Sequence, residues 1–90
     1  MPSIEFSDSL KKTVAKLCKR DKARYDALLR KIEEIIACED LEHYKNLRKP
    51  LQHLKRVHID THFVLTFRYE KAEDKITFYD FAHHDDIYRR

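Results

Sequence analysis

All six histidines of this chain lie between positions 43 and 84: His43, His53, His58, His62, His83 and His84. Among them run Lys45, Arg48, Lys49, Lys55 and Arg56, with no acidic residue between positions 43 and 59. Residues 43–90 contain neither serine nor cysteine, so a Ser or Cys nucleophile paired with these imidazoles is not expected. Imidazole, ammonium, guanidinium, phenol and carboxylate remain, a set that suits acid–base cleavage of RNA. A base takes the proton of a ribose 2′-OH, the oxygen attacks the neighbouring phosphate, and an acid protonates the departing 5′ oxygen. Cations stabilise the charge that develops on the phosphoryl oxygens. Imidazole, with an ordinary pKa of about 6.5, can fill either role near neutrality. Such chemistry needs no cofactor and no metal.

Each feature also has a plainer interpretation. The basic run can be a solvated arm, although the absence of acids favours anion binding. His58 and His62 are four residues apart, which on one strand separates them by about 13 Å, unsuited to a shared metal ion. His83-His84-Asp85-Asp86 reads as a surface segment rather than a metal site. Asp85 and Asp86 weaken the positive field, yet either can orient a neighbouring histidine. Lys16, Lys19, Arg20, Lys22 and Arg24 make a second basic cluster, opposed only by Asp21.

These side chains must be positioned by a small scaffold. Ser3-Ile4-Glu5-Phe6 alternates as a short strand. Ser7 or Asp8 can cap a helix with Leu10, Val14, Leu17 and Cys18 on its apolar face. After a corner at Arg20-Asp21, a second helix carries Tyr25, Leu28, Leu29, Ile32, Ile35 and Ile36 on one stripe. Pro50 disfavours helix at Lys49, so residues 39–53 read as a connecting arm with room for one helical turn. From Leu54 the period becomes two. Val57 and Ile59 alternate with Arg56 and His58; Phe63, Leu65, Phe67 and Tyr69 follow; Lys71 to Asp74 is a polar turn; Ile76, Phe78 and Asp80 alternate with Thr77, Tyr79 and Phe81.

The expected fold is α+β in the order β-α-α-β-β-β, with a helical hairpin packed on one face of a small antiparallel sheet. Polar residues on the covered face would need partners. Arg56, His58 and Arg68 are therefore placed on the opposite face, with the C-terminal segment against it.

Ninety residues make one domain, positions 1–90. Hydrophobic residues at 42% are enough for a core, so the 39% charged fraction reads as a solvated shell and not as disorder. Glycine is absent, which excludes the P-loop and the dinucleotide-binding fingerprint. Cys18 and Cys38 are too few for a disulfide framework and read as small buried hydrophobes. No stretch approaches the roughly 18 apolar residues of a membrane span, and no export signal follows Met1. A soluble, cytoplasmic protein is expected.

Three segments together resemble the RelE/ParE superfamily of toxin–antitoxin toxins, nearest to its RelE and YafQ branch. They are Lys49-Pro50-Leu51-Gln52; Arg56-Val57-His58-Ile59-Asp60 with His62-Phe63-Val64-Leu65; and His83-His84-Asp85-Asp86-Ile87-Tyr88. The resemblance spans nearly the whole chain. It implies a ribosome-dependent messenger-RNA endonuclease silenced by a cognate antitoxin, contacting mRNA and ribosomal RNA and no membrane. By position, it makes His84 the general acid and Tyr88 the aromatic that stacks on a base or supports the site. His58 becomes a general base or phosphate ligand, and Lys49 a charge stabiliser in place of a histidine. His62 falls nearest the branch's strand-entry aspartate, and His83 is an extra imidazole able to exchange roles with His84. Lys45, Arg48, Lys55, Arg56 and Arg68 are the expected RNA contacts. Two alternatives within the same fold stay open: a ParE-like, non-nucleolytic inhibitor of DNA gyrase, and a member that only binds RNA or antitoxin.

Overall fold

The computed structural model describes residues 2–47, 49 and 51–88, the last of these without its side chain. Strand β1 (Ser3–Phe6) leads into helices α1 (Asp8–Arg20) and α2 (Lys22–Ala37). After a 3-10 turn at Leu41–His43 come β2 (Lys55–Ile59), β3 (Phe63–Glu70) and β4 (Lys75–His83), and the terminal helix α3 (His84–Tyr88).

Local chemistry sets the corners. The Ser7 hydroxyl accepts from the Leu10 N–H and starts α1. Asp21 serves both helices: its N–H donates to the Leu17 carbonyl, closing α1, and its carboxylate accepts from the Arg24 N–H, opening α2. One residue in both roles leaves no slack, so the helices form a tight hairpin.

The sheet order is β1-β4-β3-β2. β2, β3 and β4 pair antiparallel as the alternation predicts. β1 does not: it runs parallel to β4, from Ser3 opposite Lys75 to Phe6 opposite Phe78, so the sheet is mixed. A four-residue strand carries no direction in its own pattern; the edge it joins decides it. Beside β2, the connecting arm is bridged through Asn46 and Lys55. β1 instead lies along β4, where the Ser7 N–H donates to the Phe78 carbonyl as the chain turns into α1.

The helices cover one face of the sheet. Leu10, Leu28, Ile32, Ile35 and Leu41 pack there against Ile59, Leu65, Phe67, Ile76, Phe78 and Phe81. The even alternation expected for β4 fails at one point. Thr66 pairs with Asp80 and Phe67 with Phe78, so Tyr79 is an extra residue, a β-bulge. The bulge reverses the phase and turns Phe81, not Asp80, into the core. Cys18 is exposed and Cys38 only half-buried, against the expectation that both are core residues. Among the described residues, no helix is long and apolar enough to cross a membrane.

The opposite face is not bare. Val64 is buried there beneath Leu47 from the arm and Ile87 from α3, with Leu51, Leu54 and Ala82 packed around them.

Candidate functional site

The turn between β2 and β3 carries the first functional side chain. Asp60 has φ 63°, a left-handed conformation that Asp tolerates better than most residues in a chain without glycine. Its carboxylate accepts from the Thr61 N–H at 2.8 Å and lies 3.5 Å from the Arg24 guanidinium. Its pKa falls below the usual carboxylate range, chiefly through the Thr61 N–H and then through Arg24 and His62. Arg24 also pairs with Asp21 at 2.6 Å and stacks over the Phe63 ring at 4.0 Å. The helical corner is thereby tied to the turn that presents His62. Arg24 accordingly leaves the exposed basic cluster to which the sequence assigned it.

Backbone pairing completes the cluster. Phe63 is opposite His83, and the His84 N–H donates to the His62 carbonyl at 2.8 Å. His62, His83 and His84 thus converge from a turn, a strand end and a helix start. Their rings stack nearly parallel. Centroids are 4.6 Å apart for His83 and His84, 5.7 Å for His62 and His83, and 6.0 Å for His62 and His84. The Phe63 ring meets His83 edge-on and supports the stack.

Both nitrogens of His84 face acceptors. Nδ1 lies 3.2 Å from the His62 carbonyl oxygen, and Nε2 lies 3.0 Å from a carboxylate oxygen of Asp85. Donating to both at once takes the doubly protonated ring. Asp85 also reaches His83, whose Nδ1 is 3.2 Å from the Asp85 N–H and 3.6 Å from its carboxylate.

The cationic residues are more dispersed than the sequence suggested. Arg56 and His58 lie on the face away from the helices, since Val57 and Ile59 pack into the main core. His58 is exposed and paired with Val64, whose side chain lies beneath Ile87 of α3. His58 and α3 therefore lie on the same face of the sheet. Lys45 and Lys49 are exposed, and Arg68 is exposed with Glu70 4.0 Å away.

Lys55 is a correction. It alternates onto the helix-covered side, is 6% exposed, and donates to the Tyr44 carbonyl at 3.2 Å and to Asn46 Oδ1 at 3.3 Å. Its ammonium satisfies protein acceptors and is not presented to RNA. A second correction concerns His58 and His62. β2 ends at Ile59, so the two do not share a strand. Arg48 lies outside the described residues, and so does the Tyr88 side chain.

The individual members of the imidazole cluster were visible in the sequence, but their meeting was not. The available signal was register: a hairpin turning at Asp60 to His62 puts His62 at the end of β3, beside the last residue of β4.

No family model matches the chain. It is 49% identical to the candidate toxin RelE4 of Methanocaldococcus jannaschii over 90 residues, covering 100% of this chain and 94% of that one. In fold it is similar to a metal-bound toxin from Helicobacter pylori, with TM-score 0.77, 20% identity, and 97% of this chain and 99% of that one covered. It is also similar to a chain of the YoeB–YefM complex of Staphylococcus aureus, with TM-score 0.75, 15% identity, and 93% and 98% covered. The chain belongs to the RelE/ParE superfamily, and it is a RelE-like toxin of a toxin–antitoxin system.

Proposed function

We propose that this toxin is an endoribonuclease that cuts messenger RNA on the ribosome, in the cytoplasm, and is held silent by a cognate antitoxin. The observation that carries the reading is His84, held at the start of α3 between the His62 carbonyl and the Asp85 carboxylate. In this mechanism His84 protonates the departing 5′ oxygen. His58 takes the proton from the 2′-OH, and that oxygen forms a bond to phosphorus as the bond to the 5′ oxygen breaks. The products are a 2′,3′-cyclic phosphate and a 5′-hydroxyl, and Arg56 and Lys49 stabilise the charge on the phosphoryl oxygens. Tyr88 supports the site or stacks on a base, and Lys45 and Arg68 hold flanking phosphates. Ribosomal RNA is met by the exposed basic residues of the helical corner, Lys16, Lys19, Arg20 and Lys22. The RelE family and the YoeB–YefM complex support an antitoxin partner.

The test is expression of the chain and of His84→Ala in a host lacking the antitoxin, with messenger 5′ ends mapped after induction. The intact chain should arrest growth and create new 5′ ends. His84→Ala should remain folded, still bind antitoxin, and cut about 10²–10⁴-fold more slowly. Full toxicity in that variant would refute the assignment of the acid. Growth arrest with altered DNA supercoiling and no new 5′ ends would replace the nuclease with a gyrase inhibitor.

A further inference from the structure

We propose that His62, His83 and His84 form a binding site for one borderline transition-metal ion, of which Zn²⁺ is the type. Each offers a ring nitrogen, and these three atoms lie within 4.8 Å of one another. Three imidazoles around a tetrahedral ion with bonds of about 2.0–2.1 Å have nitrogens about 3.3 Å apart. The rings need to close in by about 1.5 Å at most, and to tilt out of their parallel stack. His62 is exposed and the other two are half-buried, so side-chain rotation is enough.

Three independent features favour a cation here. The backbone already fixes the geometry, through the Phe63–His83 pairing and the His84 N–H bond to the His62 carbonyl. Second, an orienting partner is in place. If Nε2 of His84 binds the ion, Nδ1 keeps the His62 carbonyl; if Nδ1 binds it, Nε2 keeps Asp85. A carbonyl or carboxylate on the far nitrogen is what metal-ligating histidines ordinarily have. Third, the surroundings are acidic. Asp85 touches both His83 and His84, 3.6 Å from the first and 3.0 Å from the second. A carboxylate against two of the imidazoles favours a dication, and Asp85 is within reach as a fourth donor. Imidazole with at most one carboxylate selects Zn²⁺ and its neighbours over Mg²⁺ or Ca²⁺, which prefer all-oxygen ligation.

Because His84 is also the proposed acid, a bound ion and a proton donated from His84 exclude one another; that consequence rests on the nuclease reading. The experiment uses the full-length chain without a histidine tag. Co²⁺ is titrated as a spectroscopic probe and then competed with Zn²⁺. One equivalent should give the intense visible absorption of a low-coordinate site, and Zn²⁺ should abolish it. His62→Ala and His83→Ala should each weaken binding at least tenfold, and His62→Asn should do the same should His62→Ala fold poorly. His58→Ala, outside the cluster, should bind like the parent. Absorption typical only of hydrated Co²⁺, or binding unchanged in the His62→Ala/His83→Ala double variant, would overturn the site. In parallel, Zn²⁺ should stop RNA cleavage and a chelator restore it; cleavage continuing at saturating Zn²⁺ overturns the exclusion. A protein that binds Co²⁺ as described but never cuts RNA refutes the nuclease reading and supports the metal site.

Discussion

Replacing Ile87 by alanine should separate the terminal helix from the rest of the fold. α3 has five residues, far too few to be stable alone. Its apolar anchor is Ile87, 2% exposed and packed with Leu47 and Val64. Ile87→Ala removes three carbon groups, worth about 2.5 kcal/mol in transfer free energy alone. A cavity left unfilled raises the cost to roughly 2–5 kcal/mol. The His84 N–H bond to the His62 carbonyl offsets only about 1 kcal/mol of that. The cheaper response is for α3 to leave, because the main cluster of buried residues on the other face does not include Ile87. Two measurements distinguish local from global loss. Amide hydrogen exchange over residues 84–88 should lose protection at least tenfold, the factor that about 1.4 kcal/mol carries. Urea unfolding followed by far-UV circular dichroism should show less than about 1 kcal/mol of change, whereas Leu28→Ala, in the main core, should cost roughly 2–5 kcal/mol. A global loss of several kcal/mol with exchange over residues 84–88 still protected would refute the reasoning, since α3 would then unfold only with the whole domain.

Lys55→Met keeps the buried stem but leaves the Tyr44 carbonyl and Asn46 Oδ1 without their donor, so it should cost about 1–3 kcal/mol in urea unfolding. RNA affinity of the folded fraction, at fixed salt, should stay within about twofold; a large loss of affinity at unchanged stability would return Lys55 to the RNA contacts. Glu5, 3.2 Å from Lys75, raises the lysine pKa above its ordinary 10.5. The pair therefore contributes its stability below that value and loses it as pH rises through the folded-state pKa. The melting-temperature difference between the parent and Lys75→Met should be small at neutral pH, as for an exposed pair, and should vanish well above pH 10.5. A difference that persists there would mean that Lys75 acts through packing.

Much of the scaffold was legible because local rules decide it. Ser7 was one of the two caps the spacing allowed, Arg20-Asp21 was the expected corner, and the stripe from Leu28 to Ile35 buries itself by spacing alone. The partner of β1 was not legible, because it depends on which sheet edge is free. The bulge at Tyr79 was hidden for a related reason. Thr77, Tyr79 and Phe81 alternate without a break, and only the pairing with Thr66 and Phe67 shows the step. Lys55 was misread because charge patterning counts a lysine without its neighbours. Its ammonium finds acceptors in Tyr44 and Asn46, eleven and nine residues earlier in the arm.

That step in β4 also governs the chemistry. With unbroken alternation from Phe78, residues 80 and 82 would face the helices, and Phe81 and His83 would point away from Phe63. The extra residue at Tyr79 reverses this. Phe81 stacks on Phe63 at 5.3 Å and His83 meets the same ring at 5.7 Å. Ala82 turns to the other face, small enough to lie beside Val64 under Ile87. One inserted residue thus sets both the floor on which α3 rests and the side on which His83 joins His62. Deleting Tyr79 should therefore close the bulge without changing which side each later residue of β4 faces. Phe78 would still oppose Phe67 and Asp80 would still oppose Thr66, now as neighbours in an unbroken ladder, so Phe81, Ala82 and His83 keep their faces and the imidazole cluster survives. Nuclear magnetic resonance of the histidine rings decides it: ring-to-ring contacts among His62, His83 and His84 should persist in the deletion, and their loss would show that the bulged backbone itself, and not the facing it sets, holds the cluster.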